Sequence, residues 1–155
     1  MRLASLRSWL LSALGAICAC NDDDGDGSDD AASLPECIDY DVDGCAPLYE
    51  PTYANVFAQT FTLDCSTGGN ACHADTDALG AVDHGLAFAD ADAAYSLLLQ
   101  DRGDATFVHP GDASCGVLSV RLRTDDDALR MPTGSMLEPT EVCSVLKWID
   151  AGAMP

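Results

Sequence analysis

Basic residues are scarce in this 155-residue sequence, which has 7 Lys and Arg against 26 Asp and Glu and a formal net charge of −19. Because binding to nucleic acid depends on neutralising phosphates with Lys and Arg, this composition argues against a nucleic acid partner. No run of alternating apolar and polar residues is long enough for a sheet. The length allows one modest core and leaves no room for two full-sized domains.

Known catalytic patterns are also missing. The chain has only 3 His, and they cannot be combined with the available Ser, Asp and Gly into a Ser-His-Asp order, a metal-ligand helix or a phosphate loop. We therefore expect no independent enzymatic activity.

The N-terminus has the features of an export signal. Arg2 and Arg7 precede an apolar run over residues 9–17 that is too short to span a bilayer. The sequence Ile-Cys-Ala-Cys at 17–20 resembles a bacterial lipobox, which predicts a lipoprotein signal peptide over 1–19 and lipidation of Cys20. The protein is then an extracytoplasmic lipoprotein of the cell envelope, and Asn21 after the anchor slightly favours the outer membrane.

The residues after the anchor are polar and acidic. Residues 20–34 include six Asp and have too few apolar side chains to form a core, so we predict a flexible acidic tether. Cleavage after residue 19 removes Arg2 and Arg7, which leaves 5 basic against 26 acidic residues and a mature charge of −21. Such a charge favours a partner with a basic docking face.

The remainder divides into a Cys-bounded, proline-punctuated loop segment over 35–52 and a helical domain over 53–155. Helical spacing of apolar residues starts at Tyr53 after a Thr52 cap, again after Asp90 or Asp92, and after a Ser114 cap before Val117. The most regular pattern begins at Pro139 and stops at Gly152. We predict an all-α fold with long loops.

Six cysteines remain after export and lipidation, namely Cys37, Cys45, Cys65, Cys72, Cys115 and Cys143. Fifteen pairings are formally possible. Sequence proximity favours Cys37–Cys45 and Cys65–Cys72, which leaves Cys115 to pair with Cys143. A haem on Cys65 and Cys72 would leave the same other two pairs, so the number of cysteines does not decide between these alternatives.

Cys65 and Cys72 lie in one loop, and His73 follows the second directly. Two thiols followed by His is the order of c-type haem attachment, in which the thiols form thioethers and the His ligates iron. The usual gap of two residues is six here, and it contains Gly68-Gly69, which can close a tight loop. Met131, 58 residues after His73, would complete a His-Met ligand pair, whereas His84 and His109 are weaker alternatives.

A wider pattern accompanies this motif. It comprises Cys72-His73, Gly85-Leu86, Ala94-Tyr95, Leu97-Leu98, Pro110-Gly111-Asp112, Ser114, Leu118, Met131-Pro132 and Trp148-Ile149-Asp150-Ala151-Gly152-Ala153. These motifs and their order resemble those of the planctomycete-type cytochrome c domain, and the resemblance covers about Asn55 to Ala153.

The resemblance implies a small cytochrome-c-like fold with haem c attached at Cys65 and Cys72. It further implies His73 as the proximal ligand, Met131 as the distal ligand and one-electron transfer as the function, with a redox protein or membrane complex as partner. The alternative from a different class is a haem-free envelope module of the same fold, used for binding or structure and stapled by a third disulfide, Cys65–Cys72.

One further motif matches a calcium loop. Asp39, Asp41 and Asp43 precede Gly44, and Glu50 stands at position 12 of the pattern. Because Pro47 and Pro51 interrupt the exiting helix and the same loop has cysteines at both sides, an acidic disulfide loop is the preferred interpretation and calcium is not expected.

Overall fold

A computed structural model describes residues 34–68 and 72–155, and this part of the chain is helical without any strand. The elements are α1 (Tyr53–Val56), a π-helical segment (Phe57–Cys65), α2 (Leu79–His84), α3 (Ala91–Leu98), α4 (Val117–Arg123) and α5 (Pro139–Asp150). The prediction of an all-α chain is thus confirmed.

The predicted signal peptide, the lipidation site Cys20 and nearly all of the acidic tether lie outside the described residues. Within the described part, no helix has the length and apolar character needed to cross a bilayer.

Two of the predicted helix caps are present. The Thr52 hydroxyl accepts from the Asn55 amide at 3.3 Å, and the Asp90 carboxylate accepts from the Ala93 amide at 2.8 Å, so each satisfies an N–H that would otherwise lack a partner. Pro139 opens α5 as expected, because its missing N–H is not needed in the first turn.

Helix α1 widens into the π-helical segment without a break. The hydroxyl of Thr62 donates to the carbonyl of Phe57 at 2.8 Å, and Ser66 donates to Phe61 at 2.9 Å, each reaching back five residues. The two hydroxyl groups therefore give hydrogen-bond donors to carbonyls of the wider turn. π-Helical turns are frequent at functional sites. The segment ends at Cys65.

The core is centred on α5. Trp148 is 2% exposed, its ring lies 5.4 Å from that of Tyr53, and its indole N–H donates to the Met154 carbonyl at 2.8 Å. Tyr53 and Tyr95 pack edge to face at 4.8 Å, and their hydroxyls donate to the carbonyls of Ala91 and Ala153. These aromatic residues therefore join α1, α3 and the C-terminus around one helix while their polar atoms remain satisfied.

The disulfides overturn the expected pairing. The four cysteines expected to form two disulfides do so, but the bonds are Cys37–Cys115 and Cys45–Cys143, with sequence separations of 78 and 98. The predicted Cys37–Cys45 and Cys115–Cys143 pairs are therefore wrong. The reason is that the N-terminal segment lies across the domain, with the Ile38 amide donating to the Ser114 carbonyl at 2.8 Å.

The segment before α1 packs on the domain as well as being bonded to it. The Leu48 amide lies 2.8 Å from both the Thr140 carbonyl and the Ser144 hydroxyl of α5, and the half-buried Tyr49 contacts the core. Residues 45–49 thus form an outer layer over α5, whereas Ile38 lies against Ser114, ahead of α4.

Two helix predictions need correction. Helix α4 begins after Gly116 rather than Ser114, because Ser114 lies in a turn in which its amide donates to the Asp112 carboxylate at 3.0 Å. Helix α2 was not predicted, because its apolar residues Leu79 and Val82 are 54% and 64% exposed and give no amphipathic pattern facing the core.

A buried polar chain links three elements of the fold. Tyr49 shares a hydrogen bond of 2.6 Å with Thr60, and the Thr60 hydroxyl donates to the Glu141 carboxyl group at 2.6 Å. Thr60 is fully buried and Glu141 is 9% exposed. Burial raises the pKa of Glu141, and nearby Asp64 and Glu138 raise it further, while the hydrogen bond from Thr60 lowers it.

Candidate functional site

An apolar cavity of about 310 Å³ lies where the end of the π-helical segment, α2 and α4 meet. A cavity of this size is near the lower end of the range for small-molecule sites. Its apolar walls come mainly from the stretch between α2 and α4 and from α4 itself, namely Leu86, Phe88, Phe107, Val117, Leu118 and Leu122.

Three of the four predicted haem residues line this one cavity. Cys65, His73 and Met131 lie around it although Cys65 and Met131 are 66 positions apart in the chain. His and Met are an iron ligand pair of haem c proteins, and Cys supplies a point of covalent attachment, so these residue types fit haem c.

His73 is held in position by three hydrogen bonds. Its amide donates to the Cys65 carbonyl at 3.2 Å, and its carbonyl accepts from the Phe88 amide at 2.7 Å. Its ring Nδ1 lies 2.7 Å from the Leu86 carbonyl. Because a carbonyl can only accept, Nδ1 carries the proton in this bond and Nε2 has the lone pair.

The imidazole of His73 is also prepared electrostatically for ligation. Burial lowers the pKa of His73, with a smaller contribution from the cation of Arg121, whereas the hydrogen bond to Leu86 opposes this shift. The ring packs edge-on against Phe88 with a centroid distance of 5.8 Å. A neutral imidazole whose other ring nitrogen donates to a carbonyl is the usual form of a metal-ligating His.

Cys65 is a thiol at the rim of this cavity. Burial raises the pKa of Cys65 to about 12, and the negative charges of Asp64 and Glu141 act in the same direction. Neither disulfide of the described chain contains Cys65 or Cys72, so the Cys65–Cys72 bond expected for a haem-free chain is not formed.

The loop from Cys65 to Cys72 closes on itself although six residues separate the two thiols. The His73 amide bonds to the Cys65 carbonyl and so joins the two ends of the loop. At Gly68, a Cβ atom would overlap with the Sγ atom of Cys72. Glycine at this position therefore lets the Cys72 sulfur lie against the backbone.

The two alternative histidines differ in location. His84, the last residue of α2, lines the cavity, and its ring centroid is 6.2 Å from that of His73. Burial lowers the pKa of His84, and the positive charge of Arg121 lowers it further. His109 is exposed in the turn before Gly111 and does not line the cavity.

Met131 is attached to α4 through Arg121. The Met131 amide donates to the Arg121 carbonyl at 3.0 Å, and the Arg121 guanidinium donates to the Leu129 carbonyl at 3.0 Å. These bonds hold the chain before Met131 against α4, so the thioether lies at the cavity.

The calcium-loop residues form no comparable group. Across 34–68 and 72–155, no three His, Cys, Asp or Glu side chains converge as metal ligands, and this holds for Asp39, Asp41, Asp43 and Glu50. The Asp41 carboxylate instead accepts from the Gly44 amide at 2.9 Å within its own turn.

Sequence reasoning missed several residues of the site. Leu86 orients His73 through a backbone carbonyl, an interaction that leaves no trace in residue type. Arg102 and Arg121 also line the cavity. The only feature of the sequence that could have drawn attention to them is that basic residues are scarce in this acidic chain.

Comparison with known proteins adds no relative. No protein-family profile, no curated protein and no solved structure matches this chain.

Proposed function

We propose that this chain is an exported, lipid-anchored electron-transfer protein that binds haem c in the cavity bounded by Cys65, His73 and Met131. The observation that carries the proposal is the convergence of these three side chains on one apolar cavity. Haem, when bound, supplies the one-electron redox chemistry.

The residues of the chain would hold the group in a specific way. His73 would ligate through Nε2, because Nδ1 is engaged by the Leu86 carbonyl. Met131 would supply the second ligand and thereby raise the potential relative to a second imidazole. The apolar walls would exclude water, and exclusion of water disfavours the more highly charged oxidised state.

Covalent attachment would use Cys65 and Cys72. Since burial raises the pKa of Cys65 to about 12, its thiolate is rare in the folded protein at neutral pH. We therefore expect the thioethers to form before the fold closes around the loop.

The charge of the chain fits a docking role. With 26 acidic and 7 basic residues over the whole sequence, a partner with a basic face would be attracted over long range, and encounter would slow as salt increases. The acidic residues 20–34 would hold the domain away from the membrane surface by mutual repulsion.

The test is an absorption spectrum and an intact mass of the exported protein made in a host with c-type maturation machinery. A Soret band together with a covalent haem mass would support the proposal. In the loaded protein, His73→Ala is expected to abolish the low-spin spectrum and Met131→Ala to convert it to high-spin, whereas His109→Ala should leave it unchanged.

A colourless protein of unmodified mass would contradict the haem proposal. That result would favour the haem-free binding or structural module, whose two long-range disulfides stabilise the fold without a cofactor. A low-spin spectrum that survives His73→Ala would overturn the assignment of the proximal ligand.

A further inference from the structure

Positive charge is concentrated at the cavity. The described residues contain five basic side chains, and two of them, Arg102 and Arg121, line the cavity. The ion pair between Arg130 and Asp127 is the only one in the described part of the chain. Of the described residues that line the cavity, Asp83 is the only acidic one, and its carboxylate lies more than 4 Å from both guanidinium groups, so neither cation is paired with a carboxylate.

The donors of Arg102 are largely used by the fold. Its guanidinium donates to the carbonyls of His84 and Gly85 and to the side-chain oxygen of Gln100, at 3.0 to 3.2 Å. Its planar group also lies 4.8 Å from the ring centroid of Phe107. Arg102 thus fixes the end of α2, and this role accounts for its position.

Arg121 has donors left over. One bond to the Leu129 carbonyl uses a single N–H of the five on the guanidinium. No other hydrogen bond of this guanidinium is seen among the described residues, and its remaining nitrogens are not fully buried, so their N–H groups are accessible to solvent or to a ligand. The residue is half-buried at the cavity, and burial lowers the pKa of Arg121 without making the group neutral.

An anion would complete this arrangement. A guanidinium with several adjacent free donors matches the two oxygens of a carboxylate, and partial exclusion of water strengthens such a pair. The strongly acidic chain would otherwise repel an acidic ligand, so a local cation is needed for one to enter.

We propose that the Arg121 guanidinium binds a carboxylate of the molecule that occupies the cavity, so that the cavity takes an apolar acid. The identity of that acid rests on the proposed function: for haem it would be a propionate. Arg121 is then a ligand-binding residue, and through its bonds to Leu129 and Met131 it also positions the methionine loop.

Metal-free porphyrins test this proposal separately from iron ligation. The full exported chain, made without the attachment machinery, is titrated with protoporphyrin IX and with its dimethyl ester, and binding is followed by porphyrin fluorescence. We expect the wild type to bind the diacid more tightly than the diester. Arg121→Gln should weaken diacid binding by about tenfold or more, as expected for loss of a charge-assisted bond, and leave diester binding within about twofold.

Three control variants accompany the titration. Lys147→Gln makes the same change in net charge away from the cavity and should retain the preference. Arg121→Lys keeps the positive charge but not the planar pair of N–H donors, so its affinity for the diacid should lie between those of the wild type and Arg121→Gln. His109→Ala, an exposed change outside the cavity, should bind the diacid as the wild type does.

Equal affinity for diacid and diester, absence of binding to either, or an undiminished preference in Arg121→Gln would each overturn the proposal. If Arg121→Gln does not fold, the wild-type protein alone tests the proposal. Its preference for the diacid over the diester should then be lost in high salt. Failure of haem attachment in the maturation host is a separate result. It would contradict the proposed function, whereas the carboxylate site at Arg121 would still be tested by these titrations.

Discussion

The hydroxyl of Thr60 donates to the carboxyl group of Glu141 at 2.6 Å, and both residues lie inside the domain. The bond joins the π-helical segment, which leads to Cys65, to the central helix α5. Tyr49 extends the chain to the outer layer through its own bond of 2.6 Å to Thr60. A single titratable group is therefore connected to three parts of the fold.

Glu141 should make the protein less stable as pH rises. Its pKa in the folded state is raised above the ordinary value of 4.5, mainly by burial. The folded state therefore binds a proton more tightly than the unfolded state. The associated stabilisation is complete below the unfolded pKa and is lost as pH rises through the folded pKa.

Glu141→Gln tests this prediction. Glutamine is neutral and can still accept from Thr60, so the variant should lose less stability than the wild type between pH 4.5 and pH 8. Urea unfolding at several pH values measures the difference. Glu50→Gln, an exposed change at a residue that does not shift the pKa of Glu141, should leave the slope almost unchanged, and an identical slope in Glu141→Gln would refute the assignment.

The Cys65 thiol should be almost inert in the folded haem-free protein. With a pKa of about 12 instead of 9.0, its thiolate fraction near pH 8 is lower by about 1,000-fold, and alkylation by iodoacetamide should slow accordingly. Peptide mass spectrometry after timed labelling measures the rate. Labelling in guanidinium chloride is the control and should be fast, whereas rapid labelling under native conditions would contradict the burial of this thiol.

The crossed disulfides should contribute strongly to stability. Cys45 and Cys143 close a loop with a separation of 98 residues, for which chain-entropy arguments give about 3–5 kcal/mol. We expect Cys45→Ala/Cys143→Ala to lose that amount of unfolding free energy in a denaturant titration. Digestion without reduction should yield peptides linked Cys37–Cys115 and Cys45–Cys143, and a Cys37–Cys45 peptide as the main product would show the connectivity to be wrong.

Gly116 should tolerate no side chain. Its φ of +91° is unfavourable for other residues, and a Cβ atom there would lie 2.8 Å from the Phe107 carbonyl oxygen. Gly134 has a similar φ of +82° but open space around it. Gly116→Ala should therefore cost more unfolding free energy than Gly134→Ala, by about 1–3 kcal/mol. Equal losses in thermal or denaturant unfolding would show that the contact with Phe107 is relieved easily.

The sequence correctly predicted the helix N-termini that depend only on neighbouring residues. Thr52 and Asp90 cap their helices because a side chain of the right type precedes an apolar period, and Pro139 begins α5 for a similar reason. Ser114 looked equally suitable, yet its carbonyl accepts from Ile38 and Arg123 in a turn. Competition from a distant segment of this kind is invisible in a local window.

The candidate site was likewise predicted only in part. Cys65 and His73 were identified by motif, and Met131 by the ligand pair and the resemblance; the structure brings the three to one cavity. The Leu86 carbonyl that orients His73 could not be predicted, because every residue has a carbonyl. The disulfides were mispaired because proximity in sequence says little once residues 37–45 lie across the domain.

The position of Cys37 has a mechanical consequence. Cys37 is bonded to Cys115, and Cys45, eight residues later, is bonded to Cys143 in α5. A pulling force applied through the preceding residues would reach a covalent cross-link almost at once and be shared by the far side of the domain. The outer layer over α5 could not be peeled away residue by residue, so the domain would resist shear at its point of attachment.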